Sequence, residues 1–174
     1  FEQYDDFILP PVIKSEIWNA RPTTGGYITV YLPSYCDCEI KKFFSGLTHY
    51  RFHVFSKEVQ YTTNHGHLSF IPVNKKAFND SLVHCDAIIC GAGFETPAEA
   101  LHLNKKIMAM PIKGQYEQKC NAAALEKLGV KILPELPENF HTVFEEWYHQ
   151  TQPLNIRFPY NAADITQRMM KKLS

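Results

Sequence analysis

The stretch from Asp86 to Leu101 constrains this chain more than any other: an unbroken apolar strand runs into glycines and then into a helix start. Between Asp86 and Gly91 stand only Ala87, Ile88, Ile89 and Cys90. Both faces of such a strand need covering, which is the condition of a strand inside a parallel sheet. The same alternation recurs along the chain. Strands are expected at Tyr27–Leu32, Tyr50–Phe55, Leu68–Val73, Lys106–Met110 and Val130–Leu133. Helices are expected at Glu39–Leu47, around Phe78–Val83, and at Thr96–Leu103, Tyr116–Leu128, Phe140–His149 and Ala162–Leu173. In the expected helix Tyr116–Leu128 the recurrence of Tyr116, Cys120, Ala124 and Leu128 marks the expected buried face, and Gly129 the stop. Strands and helices in this order imply right-handed crossovers and an α/β fold, a doubly wound parallel sheet of Rossmann-like type.

Residues 1–26 read differently, as an irregular lead-in with Pro10-Pro11 and the turn-rich Arg21–Gly26. Its aromatic residues Phe1, Tyr4 and Phe7 suit either a docking surface or packing on the domain itself. The chain starts at Phe1 with no secretory pattern, so a processed product or a fragment is expected. With 18 basic and 18 acidic residues the formal net charge is zero, which argues against a nucleic-acid partner. No apolar run reaches the ~18 residues of a membrane span. Five cysteines in no framework spacing predict unpaired thiols in a reducing, cytoplasmic setting. Neither His65-Gly66-His67 nor Cys36-Asp37-Cys38 brings the further ligands of a metal site, and no metal is expected.

In a doubly wound sheet, ligands bind beyond the carboxyl ends of the strands, where strand order reverses. The loops of interest are therefore Ser34–Asp37, Val73–Lys75, Gly91–Glu95 and Ile112–Glu117. In Gly91-Ala92-Gly93, glycines permit close backbone approach and unusual φ. Thr96 is an expected N-cap with Pro97 at the first helical position, and Thr96 with Glu99 has capping-box spacing. The helix N-terminus then suits a diphosphate. Glu99 has two competing uses: closing the capping box, or turning outward to accept the two hydroxyls of a ribose. A helix start with no ligand fits the same residues. The second loop is rich in amides, Gln115 and Gln118, which can both donate to and accept from sugar hydroxyls.

Taken together, Gly91-Ala92-Gly93-Phe94-Glu95-Thr96-Pro97-Ala98-Glu99-Ala100, a strand, then Pro111 and Gln115-Tyr116-Glu117-Gln118-Lys119-Cys120-Asn121 resemble the donor-binding, C-terminal half of GT-B glycosyltransferases. The similarity lies nearest the MurG-type N-acetylglucosaminyltransferases and diacylglycerol galactosyltransferases, the family 28 group. The resemblance implies a connector over residues 1–26 and a nucleotide-sugar donor-binding domain over 27–174. Glu99 would hold the ribose, Gly91, Ala92, Gly93 and Thr96 would line the diphosphate, and Gln115 with Gln118 would face the donor sugar. Ser34 would lie near the phosphates, and the turn at Val73 and Asn74 would approach the base. It further implies metal-independent inverting transfer from a nucleoside-diphosphate sugar, UDP-linked first, with no separate cofactor. The acceptor site and general base would come from an N-terminal half or partner chain, leaving this domain inactive alone. Membrane contact through the full-length enzyme would involve the basic end at Arg168–Lys172. Two departures stand out: Asn104-Lys105-Lys106 where relatives place Gly before the next strand, and Ser34-Tyr35-Cys36 in place of a glycine-rich turn. Competing readings are a sugar-nucleotide epimerase or hydrolase of the same fold and a non-catalytic half-subunit.

Overall fold

The computed structural model describes residues 10–173; Phe1, Tyr4 and Phe7 lie outside the described residues. In chain order the elements are α1 (Ser15–Trp18), β1 (Ile28–Tyr31), α2 (Asp37–Phe44), β2 (Phe52–Ser56), β3 (Thr63–His65), β4 (Leu68–Pro72) and α3 (Lys75–His84). There follow β5 (Ala87–Gly91), α4 (Glu95–His102), β6 (Lys106–Met110), α5 (Tyr116–Lys127), β7 (Lys131–Ile132), α6 (Phe140–Gln150) and α7 (Ala162–Leu173). The strands form one sheet in the order β3-β4-β2-β1-β5-β6-β7. Every pairing is parallel except β3 with β4, so the doubly wound α/β fold is observed.

Each central strand feeds two cores. Ala87 and Ile89 of β5, with Met108 and Met110 of β6, face a cluster built with Phe44 of α2 and Phe140, Phe144 and Trp147 of α6. Ile88, Cys90, Ile107 and Ala109 point the opposite way, toward α3, α4 and α5. Period-two alternation thus becomes a three-layer domain. The described part of the lead-in belongs to the second core: α1 buries Ile17, and Ile13 just before it is buried too. The one polar side chain inside β1, Thr29, is fully buried and shares a 2.8 Å hydrogen bond with the Ser81 hydroxyl of α3.

Several expectations are corrected. The polar stretch before β4 contains the antiparallel edge strand β3, turned by the two-residue loop Gly66-His67 with Gly66 at φ 61°. Glycine first in a two-residue hairpin loop is the chemistry such a turn requires. In α5 the buried residues are Ala122 and Leu125, whereas Tyr116 and Cys120 are exposed. A four-residue recurrence drifts off the true 3.6-residue period, so that series leaves the core face. The cysteines are not all free, for Cys36 and Cys38 form a disulfide. The turn into α2 brings their Cα atoms to 5.3 Å, within the span a disulfide bridges. Cys85 and Cys90 are buried thiols as expected, and burial pushes Cys90 up to about 12, too high for a thiolate nucleophile.

The departure at Asn104 has a structural answer. Its φ of 58° is the left-handed conformation that Gly would supply, and the N–H groups of Asn104 and Lys105 return to Leu101 O and Ala100 O at 3.0 and 2.9 Å. That is a Schellman cap with Asn at its left-handed position. Gly129, at φ 94°, ends α5 with the same pattern onto Glu126 and Leu125. Lys105 then turns inward and donates to Cys85 O and Thr23 O at 2.7 and 2.8 Å, tying the lead-in turn to the sheet. Burial pulls its ammonium below the usual lysine range. Among the described residues, no helix is long and apolar enough to cross a membrane.

Candidate functional site

From β1 the chain moves outward to β2 and β4, then returns to place β5 against the other edge of β1. The order therefore reverses between β1 and β5, and the crevice beyond their carboxyl ends is where a ligand sits in such sheets. Two of the expected loops flank it. Ser34, past the end of β1, is exposed and lines a cleft of about 320 Å³ with Tyr35, Glu39, Pro111, Lys113 and Leu136 among its walls. On the neighbouring strand, a methyl group built on Gly91 would lie 3.7 Å from Gln118 Oε1 and 3.9 Å from Met110 O. The structure thus brings the turn after β5 and the turn after β6 together at one rim.

The details of the first turn differ from expectation. Neither Gly91 nor Gly93 has a positive φ, and the Ala92 N–H is committed to Met110 O at 3.0 Å as a continuation of the sheet. Position 93 faces open space, since an added Cβ would meet nothing within 4 Å. Helix α4 begins at Glu95, its cap residue is Phe94, and no side chain caps it. The Thr96 N-cap and the Thr96–Glu99 capping box are therefore corrected. With the cap two residues earlier, at Phe94, Thr96 already stands inside the first turn and Glu99 is too far along to reach back. Pro97 is still harmless there, because first-turn N–H groups have no intrahelical acceptor.

Released from capping, Glu99 is buried at 1% exposure. Its partner comes from the lead-in: Lys14 Nζ lies 3.2 Å from Oε1 and donates to Oε2 at 3.4 Å, with Glu95 Oε2 at 3.6 Å on its outer side. Both contacts are longer than the 2.7–2.9 Å of well-formed ammonium–carboxylate hydrogen bonds. Oε1 is buried and accepts no hydrogen bond in good geometry. The two partners titrate accordingly. Burial lifts the Glu99 carboxyl above its ordinary range, with Lys14 pulling it back only in part. Burial works against the Lys14 ammonium as well, but Glu99 and Glu95 outweigh it and push that group up. Sequence reasoning missed Lys14, because a lone lysine in a proline-rich lead-in carries no signal of its target.

The second turn is held by its own amides. Gln115 N–H donates to Ile112 O at 3.2 Å around Gly114, whose φ of 84° suits the third position of a type II turn. Gln118 Oε1 accepts from Ile112 N–H at 3.0 Å, and its Nε2 donates to Gln115 Oε1 at 2.8 Å. Gln118 therefore shapes the turn, while Gln115 is exposed at its tip. Val73 directly follows β4 with 44% exposure, three strand positions from β5, or about 14 Å at ~4.8 Å per strand. Asn74 beside it is the side-chain cap of α3, accepting from Ala77 N–H at 3.0 Å. Among the described residues, no three His, Cys, Asp or Glu side chains gather as a metal site.

Comparison with known proteins agrees with this architecture. The chain superposes on the glycotransferase of kitacinnamycin with a TM-score of 0.60 and 11% identity, covering 94% of this chain and 43% of that one. It matches the solution structure of ALG13 (TM-score 0.53, 11% identity, 85% and 95% covered) and the glycosyltransferase SnogD from Streptomyces nogalater (0.52, 14%, 93% and 47%). The chain thus spans under half the length of two of these solved chains and nearly all of the third. It matches none of the curated proteins. At these identities the structural matches speak to fold, that of a GT-B domain. A family model described as Glycosyl transferase family 1 matches residues 2–145, most of the chain, and the chain belongs to that family.

Proposed function

We propose that this chain is the nucleotide-sugar-binding half of a glycosyltransferase that moves a hexosyl group from a nucleoside diphosphate, UDP first among them, to an acceptor hydroxyl. One observation carries the reading: at the β1/β5 reversal, one turn into the uncapped helix α4, a buried carboxylate, Glu99, is paired among the described residues only with the Lys14 ammonium at 3.2 and 3.4 Å, and its Oε1 accepts no well-formed hydrogen bond. Vicinal hydroxyls of a ribose are neutral donors suited to that oxygen. The uncapped N-terminus of α4 beside the open turn at Gly93 suits the diphosphate, and the exposed amide of Gln115 suits sugar hydroxyls. Val73 and Ser34 flank this arrangement as base-side and phosphate-side contacts.

The chemistry follows from charge. As the anomeric carbon is attacked, the departing diphosphate gains negative charge, and fixed N–H dipoles stabilise it without reorganising. Inversion by direct displacement then needs a general base near the acceptor, which we assign to an acceptor-binding half. A half-subunit completed by a partner chain is a second reading, supported by the ALG13 comparison, in which this fold fills 95% of the solved chain. Calorimetry with UDP, GDP, TDP and CDP tests the proposal. One of them is expected to bind this chain at one-to-one stoichiometry, with no turnover of the matching sugar nucleotide. Absence of binding by all four, or clear sugar transfer by this chain alone, contradicts it.

A further inference from the structure

The lead-in does more than fill the second core. Ile13 and Ile17 anchor it between α3 and α4, and that anchorage carries Lys14 to the carboxyl rim of the sheet. There its ammonium stands between two carboxylates of one helix: Glu99, with a side chain 2% exposed, and Glu95, with a side chain 70% exposed. A short swing therefore exchanges a buried partner for a solvated one. The surrounding charges are few. Glu16 of α1 adds a second negative field at Glu99 and is itself paired with Lys75 of α3 at 3.1 Å.

We propose that Lys14 is a positioning residue for Glu99: it holds the carboxylate aimed at the ribose position and shifts toward Glu95 when the two vicinal hydroxyls of a bound nucleoside arrive. The inference rests on the nucleotide-binding reading above and adds to it that the connector senses an occupied site. Its geometry is a buried carboxylate held by contacts too long to use up both oxygens, and a cation with a second anion within reach. Without the ammonium, Glu99 keeps its burial and the fields of Glu95 and Glu16, all of which favour the protonated acid. A protonated carboxyl has lost acceptor capacity for a diol.

The test is the pH dependence of UDP affinity for the chain and for Lys14→Met, which keeps the apolar stem, and Lys14→Arg, which keeps the charge. Lys14→Met is expected to lose affinity on acidification from a higher pH than the unmutated chain, by up to about tenfold per pH unit for one proton taken up. Lys14→Arg should restore the original profile. Superimposable profiles for Lys14→Met and the unmutated chain overturn the proposal. A second measurement needs no folded variant: with ¹³C-methylated lysines, the Lys14 resonance of the unmutated chain should move on UDP addition, and an unmoved resonance is an overturning result. Glu99→Gln separates the layers. If it leaves UDP affinity unchanged, the nucleotide reading itself is wrong; if it weakens UDP while the Lys14 profiles coincide, only the role of Lys14 is wrong.

Discussion

Phe44→Ala is expected to lower the unfolding free energy by about 3–5 kcal/mol. Phe44 is fully buried at the end of α2, packs edge-on against Phe52 of β2 at 5.0 Å and lies 4.9 Å from Phe140 of α6. Truncation removes the wedge joining two helices to the sheet. Phe52 and Phe144 are rigid rings already in contact with one another. For a chain of this size each kcal/mol lowers the melting temperature by roughly 2–4 °C, so a fall of about 6–20 °C should appear in a thermal melt. Met170→Ala, at an exposed position of α7, should stay within ~0.5 kcal/mol. Because Phe44 serves the face of the sheet opposite α4, nucleotide affinity measured below the melting transition should not change.

Glu99→Ala should show the reverse pattern, with a large effect on ligand and a small one on stability. Removing a charged acceptor that holds ribose hydroxyls costs about 1.5–3 kcal/mol, or roughly 10- to 150-fold in Kd. The fold should tolerate the change, since a desolvated ion pair contributes little net stability and Lys14, with 28% of its side chain exposed, can turn to solvent or Glu95. A melt lowered by many degrees together with unchanged affinity would assign Glu99 a structural role instead. Calorimetry and a thermal scan on the same protein distinguish the two.

Much of this architecture was legible because it rests on strong local patterns. The Ala87–Cys90 run, covered on both faces, could only be an inner strand, and Gly129 could only be a helix stop in its left-handed conformation. Elements defined by weak or remote partners were not legible. β3 is short, polar and at the sheet edge, so its pairing with β4 rather than its composition makes it a strand. Thr96 looks like a cap because of its own chemistry, yet the helix starts at Glu95, where propensity gives no mark. At the site, the residue types were readable but their obligations were not. Gln118 turns out to brace the Ile112 turn, and the partner of Glu99 is 85 residues away in sequence. A contact across that separation follows from the crossover topology, which no window of sequence contains.

The central claim is spatial: the turns after β5 and β6 grip a nucleoside diphosphate together. Titrating ¹⁵N-labelled protein with UDP reads this directly from the amide resonances. Shifts should concentrate at Gly91, Gly93, Glu95 and Thr96 and at Lys113, Gly114 and Gln115, and should weaken together in Glu99→Ala. Shifts gathered instead around Trp18, His102 and Asn104, which line a separate cavity of about 220 Å³ at the opposite end of α4, or confined to only one of the two turns, would contradict it.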